Sequence, residues 1–110
     1  MVGKIGPALD ALTRRITARK GDDPESSYTA KLLSDGREKC AKKLGEEGVE
    51  AALAGAKGDR KELVAESADV FYHLAVLLEA NGASFDDVAD ELDRRAGVSG
   101  IAEKASRKRR

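Results

Sequence analysis

The chain has 110 residues, twenty Lys and Arg balanced by twenty Asp and Glu, a single cysteine and 4% aromatics. That length suits one domain with a modest core, which an obligate oligomer would enlarge. Zero net charge excludes a global field that draws the chain to nucleic acid or membrane, and Cys40 alone excludes an intrachain disulfide. Good helix formers dominate, whereas aromatic and β-branched residues are sparse, so helix is expected and extended sheet is not.

The first fifteen residues contain no apolar run of signal-peptide length before Arg14 and Arg15. The first predicted helix covers residues 7–20, with Pro7 early and Leu9, Leu12 and Ile16 forming an apolar stripe. Gly21-Asp22-Asp23-Pro24 breaks it. After a loop through Ser26-Ser27-Tyr28, a short helix is expected over 29–34, ending at Asp35-Gly36. A long third helix follows over 37–57. Gly45 and Gly48 lie inside it, at about 1 kcal/mol each relative to Ala. Close approach by a partner helix or ligand, or mere tolerance, would account for them equally well.

After the turn Lys57-Gly58-Asp59, Asp59 is the expected cap of a fourth helix, with Glu62 as its capping-box partner. This helix runs to residue 80 and stops at Asn81-Gly82. Ser84 with Asp87 opens a fifth, 85–96, ended by Gly97, and a further short helix is expected from Ile101. The longest apolar stretch, 70–78, is too short to span a bilayer and contains Tyr72 and His73, so a cytoplasmic location is expected. Short turns imply antiparallel neighbours. The expected fold is an all-α antiparallel bundle: one domain over 1–110, core about 7–97, tail 98–110.

The fourth helix carries the chemical signal. Glu66 and Asp69 project to nearly one face with His73 between them, flanked by Leu63, Val70 and Leu77 on one side and Tyr72 and Val76 on the other. An ionised acid in an apolar sector loses hydration worth on the order of several kcal/mol unless it is paired. The third helix offers the counterpart in Glu46-Glu47-Gly48-Val49-Glu50, where like charges at i, i+3 and i, i+4 repel. If the helices pack antiparallel, Glu47, Glu50, Glu66 and Asp69 face one another. All-oxygen ligands select a hard cation, Mg²⁺ or Mn²⁺, that joins carboxylates to substrate phosphates. The plainer alternative for the third-helix acids is a solvated face, with Lys42 and Lys43 as i, i+4 ion-pair partners. Lys39, Lys42 and Lys43 read either as solvated surface or as a phosphate-binding stripe. His73 reads as a hydrogen-bonded core residue and Cys40 as structural.

The pattern E-E-x-x-E at residues 46–50, fifteen residues, then E-x-x-D at 66–69 resembles the signature of the MazG-like all-α nucleoside-triphosphate pyrophosphohydrolases. Ser27-Tyr28-Thr29, Lys39 with residues 42–47, residues 66–74, and Arg95 to Gly100 with Glu103-Lys104 are similar to the phosphoribosyl-ATP pyrophosphatase family over most of the chain. Gly48 departs from a common alanine and Cys40 from a common aliphatic, and no motif acid is missing.

The resemblance implies Mg²⁺-dependent hydrolysis of phosphoribosyl-ATP to phosphoribosyl-AMP and pyrophosphate, the second step of histidine biosynthesis, in a homodimer. The following cyclohydrolase would act on another polypeptide. In this reading Glu46, Glu47, Glu50, Glu66 and Asp69 are metal candidates. Glu46 and Glu47 are the catalytic candidates, Glu46 being either a further ligand or the base that orients water. Lys39, Lys42 and Lys43 would meet the triphosphate, Arg95 and Lys104 would reach phosphate from the tail, and Ser27, Tyr28 and Thr29 would touch substrate. Three competing expectations are a house-cleaning pyrophosphohydrolase for nucleotides such as dCTP, a non-catalytic helical interaction module, and a nucleic-acid binder using the basic C-terminal end. Zero net charge and few aromatics oppose the last.

Overall fold

In the computed structural model, described for residues 3–97, 100, 104, 105 and 107, five helices follow one another: α1 (Ile5–Arg19), α2 (Tyr28–Asp35), α3 (Arg37–Lys57), α4 (Arg60–Ala80) and α5 (Phe85–Arg95). The all-α expectation holds, and α3 and α4 match their expected bounds. The others differ by one or two residues at their ends, where helices fray and caps decide. α1 starts at Ile5, so Pro7 is its third residue, still within the turn whose N–H groups lack intrahelical partners. The expected helix from Ile101 lies outside the described residues.

Local chemistry sets the boundaries. Ser27 Oγ accepts from Ala30 N at 3.1 Å and starts α2. Gly36, at φ 98° and ψ 175°, alone separates α2 from α3 in a conformation that a Cβ would strain. Asp59 Oδ1 accepts from Glu62 N at 3.0 Å and starts α4. The reciprocal half of that expected capping box is replaced: the Glu62 carboxylate turns to Lys57 Nζ at 3.3 Å. At α5 the box is complete, with Asp87 N on Ser84 Oγ and Ser84 N on Asp87 Oδ2.

The core lies where α1, α2, the start of α3 and the end of α4 meet. Ile16, Leu32, Cys40, Ala75 and Val76 are buried there, with Leu12, Tyr72, Leu77 and Phe85 packed around them. Burying a side chain such as Leu32 or Val76 contributes about 1.5–3 kcal/mol. Cys40 is part of this core, as expected: its Sγ donates to Leu32 O at 3.2 Å, and burial pushes its thiol above the ordinary range. Thr17 Oγ1 donates to Glu79 Oε1 at 2.8 Å and ties α1 to α4.

α3 and α4 form the most extensive helix pair, an antiparallel hairpin closed by Gly58 in the left-handed region at φ 75°. Positions 45 and 48 have open space where a Cβ would stand. Among the described residues no neighbouring helix comes close to either position. Among the described residues no helix is long and apolar enough to cross a membrane.

Candidate metal and substrate site

The hairpin register brings the motif acids together. Glu50 is eight residues before Gly58 and Glu66 eight after it, while Glu47 and Asp69 are each eleven away. In antiparallel helices of equal rise these pairs stand level. Carboxylate oxygens of Glu47, Glu66 and Asp69 lie within 4.8 Å of one another. Glu50 stands beside them, and its charge acts on both Glu47 and Glu66. The expected meeting of two acidic pairs is therefore observed.

The burial is uneven. Glu47 and Glu66 are half-buried, whereas Asp69 is exposed. Leu63 is exposed too, so the sector that reads as apolar in sequence is deep only toward the C-terminal half of α4, at His73 and Val76.

The charges are under strain. Desolvation first, then the charge of Glu50, holds the Glu47 carboxyl above the usual range. Desolvation first, then its contact with Glu50, does the same for Glu66, with Asp69 and Glu47 adding to it. Glu66 Oε2 is buried and no donor among the described residues reaches it. The groups facing it are carboxylates, which share a proton but donate none when ionised. A buried acceptor with only carboxylates around it is satisfied by a shared proton or by a cation. Four oxygen donors on two rigid helices suit a hard divalent ion.

The Ser27-Tyr28-Thr29 segment is fixed against α4. Ser27 is the α2 cap and is buried. Thr29 Oγ1 and Tyr72 OH share a hydrogen bond. Tyr28 OH lies 3.4 Å from His73 Nε2, and its ring stacks on Tyr72 at a centroid distance of 6.3 Å. His73 Nδ1 lies 2.9 Å from Asp69 O. A ring nitrogen facing a carbonyl must donate, so neutral His73 accepts at Nε2 from the Tyr28 phenol. His73 is thus a satisfied core histidine, as expected, and it links the start of α2 to the backbone of a motif acid.

The remaining candidates divide. Glu46 stays outside the three-carboxylate group and pairs with Lys43 at 3.3 Å, a contact that also raises the lysine above its ordinary value. The pair is i, i+3, where i, i+4 pairing of Lys42 and Lys43 was the alternative expectation. Lys39 and Lys42 are exposed on the same helix. Arg95 is turned to Glu91 at 2.8 Å, which Arg94 also bonds at 2.7 Å. The two guanidiniums pull Glu91 down to about 2. Lys104 is exposed, and no bond among the described residues joins it to the acids.

Two hollows meet beside this site. A groove of about 440 Å³ between α1 and α4 is lined by Ile5, Leu9, Phe71, Asp69, Tyr72 and Arg15, among others. A cavity of about 260 Å³ lies between the C-terminal half of α1 and the start of α2, lined by Arg15, Arg19, Ser27, Tyr28, Thr29 and Tyr72, among others. Sequence reasoning missed Arg15 and Arg19 because only their i, i+4 spacing signals them, and the loop that brings α2 over α1 has no readable geometry.

The family model for phosphoribosyl-ATP pyrophosphohydrolase matches residues 9–96. A phosphoribosyl-ATP pyrophosphatase of Rhodobacter capsulatus is 62% identical over 100 residues, covering 91% of this chain and 97% of its own. One of Paracoccus denitrificans is 56% identical over 108 residues, covering 98% and 100%. One of Dinoroseobacter shibae is 58% identical over 99 residues, covering 90% and 97%. With all five motif acids inside the matched span and at the hairpin described above, the chain belongs to the phosphoribosyl-ATP pyrophosphohydrolase family.

Proposed function

We propose that this chain hydrolyses phosphoribosyl-ATP to phosphoribosyl-AMP and pyrophosphate, the second step of histidine biosynthesis, with Mg²⁺ held by the α3–α4 carboxylates. The observation that carries this reading is the donorless buried oxygen of Glu66 among converging acids in a chain of this family. Glu47, Glu50, Glu66 and Asp69 would hold the ion, and Mn²⁺ would fit the same oxygen donors. When bound, the ion neutralises phosphate charge and activates water.

The chain's own groups do the rest. Glu47, Glu50 and Glu66 fix the geometry from rigid helices. Glu46, exposed and held by Lys43, acts from the rim as the base that orients the attacking water rather than as a ligand. Lys39 and Lys42 supply positive charge for the triphosphate, and the Lys43–Glu46 pair opens toward it. Ser27, Tyr28 and Thr29 shape the wall beside Tyr72. Arg95 and Lys104 are assigned phosphate contacts from the C-terminal segment.

The same reading makes the chain a cytoplasmic homodimer. Support for the dimer comes from α4, which is apolar on a second face. Val64, Ala68 and Phe71 recur at i, i+4, i+7 and stay exposed, Val64 by 59%. Val49 and Leu53 on α3 are equally uncovered. A second copy would bury these stripes.

The test is pyrophosphate release from phosphoribosyl-ATP, ATP and dCTP with and without Mg²⁺. Release is expected to require Mg²⁺ and to be fastest with phosphoribosyl-ATP. Preference for dCTP would replace the reading with a house-cleaning activity.

A further inference from the structure

We infer that Arg15 and Arg19 of α1 form a second anion subsite, which binds the terminal phosphate of the substrate's phosphoribosyl arm while the acidic cluster serves the triphosphate. The inference rests on phosphoribosyl-ATP being the substrate. That molecule is anionic at both ends, with a triphosphate on one ribose and a phosphomonoester on the other, and the base between them. A site that tells it from ATP needs cationic groups for the second phosphate.

The cavity of about 260 Å³ between α1 and α2 has that character. Among the described residues Arg15 and Arg19 are the only charged side chains in its lining, and both are positive. Neither pairs with a carboxylate among the described residues. They stand at i, i+4 on one face of α1, a spacing at which like charges repel and an anion between them would reverse the sign. Two arginines lining one cavity suit the tetrahedral oxygens of a phosphate, which arginine binds bidentately. Ser27, Tyr28 and Thr29 at the start of α2 also line it.

The cavity is also connected to the acids. Arg15, Leu12 and Tyr72 line both it and the neighbouring groove, which carries Asp69. Asp69 precedes Tyr72 by three residues of α4, about 4.5 Å along the axis. A continuous path therefore runs from Asp69 past the ring of Tyr72 to the two arginines. The plainer alternative, two solvated surface arginines, gives no reason for both to edge a hollow that has no acid among the described residues of its lining.

The test uses the full chain and its Arg15→Gln/Arg19→Gln variant, with both single variants and Arg19→Lys. Pyrophosphate release from phosphoribosyl-ATP is followed together with inhibition by ribose 5-phosphate, and helix content is read by circular dichroism. For the double variant KM is expected to rise about tenfold or more while kcat falls less than about threefold. Inhibition by ribose 5-phosphate should weaken in parallel, and Arg19→Lys should retain part of the affinity. A folded double variant with KM and ribose 5-phosphate inhibition within about twofold of the wild type overturns the subsite alone. Should the double variant fail to fold, the single variants carry the same comparison. A wild type that releases no pyrophosphate from phosphoribosyl-ATP overturns the functional reading, and this inference with it.

Discussion

At Glu66 one carboxylate oxygen is buried with no donor against it, and the physics of the site follows from that atom. An acid in this position is stable only when protonated or when a cation reaches it. Glu66→Gln removes the charge and keeps the shape. The metal-free variant should melt at a higher temperature than the wild type at neutral pH, while turnover falls by roughly two orders of magnitude. A lower melting temperature would show that the acid is satisfied without a cation. Replacing Glu50 or Asp69 by Ala should abolish turnover and leave helix content unchanged by circular dichroism.

Titration of the same acids gives a pH dependence. Glu47 and Glu66 are both held above their ordinary value of 4.5 by desolvation and their acidic neighbours. In the window above 4.5 the folded metal-free chain therefore keeps more protons than the unfolded chain. Their contribution to stability is greatest at acid pH and declines as pH rises through that window. A divalent ion competes with those protons, so the rise in melting temperature produced by Mg²⁺ should grow from about pH 5 to about pH 7.5. Glu91 has the opposite sign: drawn down to about 2 by Arg94 and Arg95, it stabilises α5 above 4.5 and loses that effect as pH falls toward 2.

At the scale of the elements, the α3–α4 hairpin is the unit that builds the site, and its turn sets the register. Asp59→Ala removes the α4 cap and should cost about 1 kcal/mol of stability, measured by urea denaturation. Gly48→Ala should add up to about 1 kcal/mol, since open space surrounds its Cβ position. The hairpin was legible because its signals are local: Gly58 and Asp59 end one helix and start the next, and the acids repeat at i, i+3 on each side. The equal spacing of the acids from Gly58 even encodes which pairs stand level. What stayed illegible depends on side-chain choice or on distant packing. Glu46 had lysines within reach at two spacings, and only the folded rotamers select Lys43. Asp69 projects toward apolar neighbours in sequence, but α1 does not cover it. The cavity at Arg15 and Arg19 exists because the loop over residues 20–27 lays α2 beside α1, and no periodicity reports that path.

For the whole molecule, the core is thin. Among the described residues the buried hydrophobics are Ile16, Ala30, Leu32, Cys40, Ala54, Ala75 and Val76, three of them alanines. That set is small for a chain of 110 residues, and the uncovered stripes on α3 and α4 are where a second copy would complete it. Sedimentation should give a species of about twice 11.7 kDa. Phe71→Glu should yield the single chain with a lower melting temperature, because a charge on that face opposes its burial. A wild type that sediments as a single chain would remove the dimer from the account.

The measurement that tests the site most directly is a titration of the ¹⁵N-labelled chain with Mn²⁺, followed by paramagnetic broadening of its backbone amides. Saturable broadening centred on Glu47, Glu50, Glu66 and Asp69, displaced by Mg²⁺ and absent in Glu66→Gln, is the expected result. Broadening spread evenly over the acidic surface, or equal in the wild type and Glu66→Gln, would contradict the assignment.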